Sequence, residues 1–185
     1  NNAAYARLTG RFPGDGTFYT AHKCVIELSE TNNLENPEIW EYVVGRADGD
    51  NFDIEHSSKT QQFTLYPSDY KPMIYQITDQ QGFHWIEYQV WAAAALELDK
   101  KIKADCAANN IIPVLINTGD ATQNGSRINE WLDYYNAGLP LFKHLEQMNV
   151  VGNNDLCNVD HNNLGTGDDP GKSNPYYFKL LYCYE

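Results

Sequence analysis

An α/β fold preceded by a small all-β segment is what this 185-residue sequence predicts, on three observations. The first third is dense in aromatic and β-branched residues broken by Asn, Gly, Asp and Pro, the composition of strands and turns. The proline-bounded stretch PSDYKP, residues 67–72, then reads as a linker. Beyond it, short apolar runs alternate with segments of helical spacing in the order strand, helix, strand, helix, strand, which is the pattern of a parallel sheet with crossover helices. The expected division is residues 1–68 for the β-rich part and 69–185 for the α/β part.

In chain order, TFYTAHKCVIELS, EIWEYVVGRAD and KTQQFTLYP each read as a strand. After the linker, MIYQIT is a short, nearly continuous apolar strand. Residues 85–108 read as one long helix whose apolar stripe is Ile86, Val90, Ala94, Leu98 and Ile102, with charged residues on the other face. Asn109 and Asn110 stop it. IIPVLIN is a second buried strand, residues 127–137 a second helix and MNVV a third strand. The stretch after residue 155 reads as a long loop and one aromatic strand, and no internal repeat is visible.

The formal charge of -12 and a pI near 4.7 argue against a nucleic-acid surface, which needs a basic stripe to track phosphates. Clustered carboxylates and carboxamides are natural around divalent cations, which supply the missing positive charge. No run approaches the roughly 20 apolar residues of a membrane span. Cys24, Cys106, Cys157 and Cys183 are scattered without a CxxC pair, so neither a zinc knuckle nor a dense disulfide framework is indicated, and single thiols are expected. The chain begins at Asn1 and shows no apolar leader, which reads as processing or trimming; a secreted or virion-associated setting is the expectation.

Three short motifs carry the chemistry: ITDQQ around Asp79, GDATQNG from Gly119, and GNND from Gly152. Each falls at the carboxyl end of an expected strand, where a parallel sheet presents its functional loops. In that order they resemble the opening metal-binding motifs of the calcineurin-like metallophosphoesterases, and the strands before the linker resemble the last part of a fibronectin type III-like module, as found ahead of the catalytic domain in purple-acid-phosphatase-like proteins. The resemblance covers roughly residues 70–157, about the first half of such a domain.

What the resemblance implies is a phosphoester hydrolase, a phosphomonoesterase or phosphodiesterase, with two divalent or trivalent metal ions (Mn, Fe, Zn or Mg). Two cations held roughly 3.5–4 Å apart require a bridging carboxylate. By likeness that is Asp120, with Asp79 on one metal and Asn153 on the other through its carbonyl oxygen. Many relatives have a DxH first motif where this chain has Asp79-Gln80-Gln81, so Gln81 is a candidate carboxamide ligand that favours harder metals such as manganese or magnesium. Where GNHD relatives place a substrate-facing histidine, this chain has Asn154, which donates a hydrogen bond but no proton near neutral pH. The later histidines of the family do not occur before Glu185, so the expectation is a fragment whose partners are a phosphoester substrate and the C-terminal half of the same polypeptide. The alternative is a non-catalytic structural or adhesion protein of an extracellular assembly or virion that keeps the fold.

Plainer readings stand beside these. Asp120 also suits a turn or helix cap. His161 reads as a surface histidine, and His22, His56, His84 and His144 as structural or exposed. GTGDDPG at 165–171 lacks the ligand ladder of a calcium loop and reads as a turn. Asn124-Gly125-Ser126 matches a glycosylation acceptor, as short motifs do by chance. Tyr134, Tyr135, Tyr176, Tyr177 and Tyr184 suit core packing more than a base or sugar grip.

Overall fold

A computed structural model describes residues 3–11, 18–26, 34–48, 51–82, 84–125 and 127–155. Its first part is made of antiparallel pairs. Strand β1 (Ala3–Arg11) pairs with β2 (Phe18–Ile26), β3 (Glu38–Tyr42) with β6 (Gln61–Leu65), and β4 (Gly45–Asp48) with β5 (Asn51–Ser57). EIWEYVVGRAD is thus two strands rather than one. The chain changes partner at Val43 and Val44, where Val44 exchanges bonds with Ser58: its N–H donates to Ser58 Oγ (3.0 Å) and its carbonyl accepts the Ser58 N–H (2.7 Å). Strands β1 and β5 were not anticipated, because AAYARLTGR and NFDIEHS carry small and charged residues that dilute the strand pattern.

The second part follows the expected order. Parallel strands β7 (Lys71–Ile77), β8 (Ile111–Asn117) and β9 (Glu146–Asn149) form one sheet in the order β7-β8-β9. Helix α1 (Trp85–Ala108) joins β7 to β8, and α2 (Ile128–Phe142) joins β8 to β9. Glu87 begins α1 by accepting the His84 N–H (3.0 Å), and Asn109, extended, closes it with its N–H on the Asp105 carbonyl (3.0 Å). Helix α2 runs five residues past the expected end at 137. Pro140 sits in its last turn, where the carbonyl it strands belongs to the exposed Asn136 and can face water.

Both helices pack on one face of the sheet. The core joins Tyr75, Ile77 and Leu115 to Tyr88, Trp91, Ala95 and Ile102 of α1 and Trp131, Tyr134, Ala137 and Leu141 of α2. The buried stripe of α1 is Tyr88, Trp91, Ala95, Asp99 and Ile102, which corrects the expected one: Ile86, Val90 and Ala94 are exposed. Steps of 4 drift about 40° per repeat around a helix of 3.6 residues per turn, whereas mixed steps of 3 and 4 hold one face. Asp99 is tolerated there because Lys103 (2.6 Å) and His144 (2.7 Å) both bind its carboxylate. On the other face of the sheet, Ile74, Met148 and Val150 are exposed.

Tyr134 is fully buried and stacks on Trp91, so it serves the core as expected. Tyr135 packs with Trp131 and Phe142, whereas Tyr176, Tyr177 and Tyr184 lie outside the described residues, as do His161, Cys157, Cys183 and residues 165–171. Cys106 is a free, half-buried thiol. Among the described residues no helix is long and apolar enough to cross a membrane. Strand pairing alone does not establish a fibronectin type III-like module.

Candidate metal centre

The loops after β7, β8 and β9 leave the same edge of the parallel sheet, because all three strands run in one direction. Their first turns are bonded to each other. The Thr118 N–H donates to the Ile77 carbonyl (3.0 Å), the Asp79 N–H to the Gly119 carbonyl (3.1 Å) and the Gln81 N–H to the Asp120 carbonyl (3.0 Å). Three of the four candidate metal ligands, Asp79, Gln81 and Asp120, therefore sit on adjacent loops tied backbone to backbone.

Asp79 (φ 56°) and Asp120 (φ 55°) both adopt the left-handed conformation, which costs a non-glycine residue roughly 1 kcal/mol or more. Aspartate tolerates it better than most residues, and such backbone clusters at functional loops. Gly119, at φ 111°, is required on two counts: the backbone is closed to most side chains, and a Cβ would lie 2.6 Å from the Gly152 nitrogen. A Cβ on Gly152 would in turn strike the Asp120 nitrogen and Oδ1. The two glycines thus let the loops after β8 and β9 touch.

Asn154 completes that contact. Its backbone N–H donates to Asp120 Oδ1 (2.9 Å) and its side-chain Nδ2 to Asp120 Oδ2 (3.1 Å). Gln123 Nε2 donates to Asn154 Oδ1 (3.2 Å), and the Asn154 carbonyl accepts the Gly125 N–H (3.0 Å). Asn153 lies on the same turn and is exposed; Asp79, also exposed, accepts a bond from the Thr78 hydroxyl. Gln81 is half-buried, and its carbonyl oxygen is fully shielded with no hydrogen-bond donor among the described residues, as is that of Gln80.

A second layer of buried polar groups holds the loops. Asp155 accepts the N–H (2.9 Å) and hydroxyl (3.2 Å) of Thr122 and the N–H of Gly152 (2.9 Å). Burial pushes its carboxyl up, the N–H groups of Gly152 and Thr122 pull it back, and the charge of Asp120 adds to the upward push. Asn117, at the end of β8, accepts the Gly119 N–H (3.0 Å) and donates to the Tyr134 hydroxyl (2.8 Å), which also receives Gln147 (3.1 Å). Glu130, raised by burial, accepts the Asn124 N–H (2.7 Å) and Arg127 (3.3 Å). Asn124 is 4% exposed, so the glycosylation match is a buried turn residue.

Among the described residues no three His, Cys, Asp or Glu side chains converge. The donors brought to this edge are two carboxylates and several carboxamides, all hard oxygen ligands suited to magnesium or manganese. The shielded Gln81 oxygen fits that use, since a buried acceptor without a donor is costly unless something fills it. From sequence, Gln123, Asn117 and Asp155 carry no assigned role, and Tyr134 reads only as core packing. Gln123 and Asp155 lay inside quoted motifs, whereas Asn117 and Tyr134 meet only through the fold.

A parallel α/β unit with its acidic and carboxamide loops gathered at the carboxyl edge is the class this arrangement defines. The described fold is similar to that of a purple acid phosphatase from yellow lupin (Lupinus luteus) seeds, with a TM-score of 0.59 over 96% of this chain and 14% identity. The chain spans 32% of that protein's length. No protein-family model and no curated protein matches it.

Proposed function

We propose that this chain is the metal-binding first part of a metal-dependent phosphoester hydrolase, with Asp79, Gln81, Asp120 and Asn153 as metal ligands and the boundary between its two parts near residue 68. The observation that carries the reading is the pair Asp79 and Asp120, left-handed and linked through Gly119 and Gln81, beside a Gln81 oxygen that has no donor among the described residues. The fold likeness to a purple acid phosphatase supports it. A fibronectin type III-like module ahead of the α/β part remains part of the proposal.

Bound metal ions would supply a nucleophilic water at neutral pH and offset charge on the phosphate oxygens. The protein's own share is positional. Asp120 would hold metal and is itself held by Asn154; Gly119 and Gly152 let the loops that carry Asp120 and Asn153 touch. Asn154 presents N–H groups and no titrating proton, so it orients rather than protonates. The remaining ligands would come from the rest of a longer polypeptide.

The test is manganese binding and hydrolysis of bis(p-nitrophenyl) phosphate by the full-length protein, beside its Asp120→Asn variant. Wild-type binding and turnover, both lost in the variant, are expected. Unchanged metal content in the variant overturns the ligand assignment. Metal binding without hydrolysis leaves the structural or adhesive alternative.

A further inference from the structure

We propose that Gln123 and Asn154 form a carboxamide relay that fixes the Asp120 carboxylate for metal binding, so that Asn154 acts in this chain as a positioning residue. The proposal rests on the metal-centre reading above and assigns Gln123, which that reading leaves without a role.

One residue grips both oxygens of Asp120: the Asn154 backbone N–H holds Oδ1 (2.9 Å) and its Nδ2 holds Oδ2 (3.1 Å). Two donors at fixed spacing set both side-chain torsions of Asp120, which its left-handed backbone does not set alone. The second donor depends on which end of the Asn154 amide faces Asp120. Reversed, the amide would set its oxygen against Oδ2, acceptor against acceptor. The acceptor-only carboxylate selects the NH₂ end, and Gln123 supports that choice by donating Nε2 to Asn154 Oδ1 (3.2 Å).

Each carboxylate oxygen keeps a free lone pair after accepting one bond, so the grip leaves Asp120 able to bind a cation. The carboxylate is then held before the ion arrives, and less conformational freedom is lost on binding. Partners that orient a metal ligand in this way are worth about 10–100-fold in metal affinity.

The experiment measures Mn²⁺ binding by the full-length protein from the free-ion EPR signal, with thermal melts run in parallel. Asn154→Ala is expected to bind Mn²⁺ roughly 10-fold more weakly. Gln123→Ala should show a smaller loss. Asn154→His should recover much of the affinity, because its Nδ1–H reaches as far as the asparagine amide. The melts should stay close to wild type, since Asn154 is only half-buried. Wild-type affinity in Asn154→Ala, or no recovery in Asn154→His, overturns the relay while leaving the metal centre standing. No Mn²⁺ binding by the wild type overturns the metal-centre reading and the relay with it.

Discussion

The carboxylate of Asp155 holds Thr122 by both its backbone N–H (2.9 Å) and its hydroxyl (3.2 Å), across a separation of 33 residues. Its other oxygen takes the Gly152 N–H (2.9 Å), so a single buried side chain joins the turn after β8 to the turn after β9. Asp155→Ala leaves three donors without their acceptor at a site that is 1% exposed. A loss of about 2–3 kcal/mol is expected, read from urea denaturation, with Asp155→Asn costing less because it keeps one acceptor oxygen. Equal stability of Asp155→Ala and wild type would show that the two turns are held by other means.

Glycine at 119 and 152 is a requirement of contact. Gly152→Ala drives a methyl group into Asp120, and the strain expected is about 1–3 kcal/mol, seen as a lowered melting temperature. Mn²⁺ affinity should fall with it, since the atom displaced belongs to the proposed metal-binding carboxylate. A variant that melts like wild type would mean the loops separate freely.

Tyr134→Phe retains the stacked ring on Trp91 but removes the hydroxyl that accepts Asn117 (2.8 Å) and Gln147 (3.1 Å). Two carboxamide donors are then left beneath the sheet edge, for a cost of about 1–3 kcal/mol. Hydrogen exchange at the Gly119 amide, whose acceptor is Asn117, should speed up along with it. Unchanged exchange there would separate Tyr134 from the turn.

Burial alone would raise the Asp99 carboxyl, but hydrogen bonds from Lys103 (2.6 Å) and His144 (2.7 Å) outweigh it and hold the group below its usual value. A folded-state pKa below the unfolded one contributes stability above the ordinary carboxylate range, and that stability is lost as pH falls through the folded value. Stability should therefore decline below about pH 4. Asp99→Asn, lower in stability near neutral pH, should show a flatter acid limb in melts from pH 6 to 2; parallel limbs would remove Asp99 from the account. Asp105, held low by Lys101 and Tyr75, acts in the same sense, whereas Asp155 and Glu130, raised by burial, act in the opposite one.

Much of this was legible in the sequence, and the reason differs element by element. IIPVLIN is a run of apolar, β-branched residues and could only be a buried strand, and the asparagine that ends α1 stops a helix by local chemistry. The glycines of GDATQNG and GNND marked turns because only glycine accepts their close approach. The face α1 buries was misread by about a third of a turn. Trp91 is fixed by the aromatic cluster of α2, and a single helix's pattern does not record its partner.

Sequence alone determined the order of strands and helices after the linker, the Asp79 and Asp120 loops, and the acidic, carboxamide-rich character of the site, since these follow from local propensity and composition. Tertiary structure decided that Asn154 lies on Asp120, that Gln123 meets the Asn154 amide, and that Asn117 meets Tyr134 under the sheet edge. Those contacts span up to 34 residues, and directional hydrogen bonds form only after three parallel strands have brought their loops to one edge.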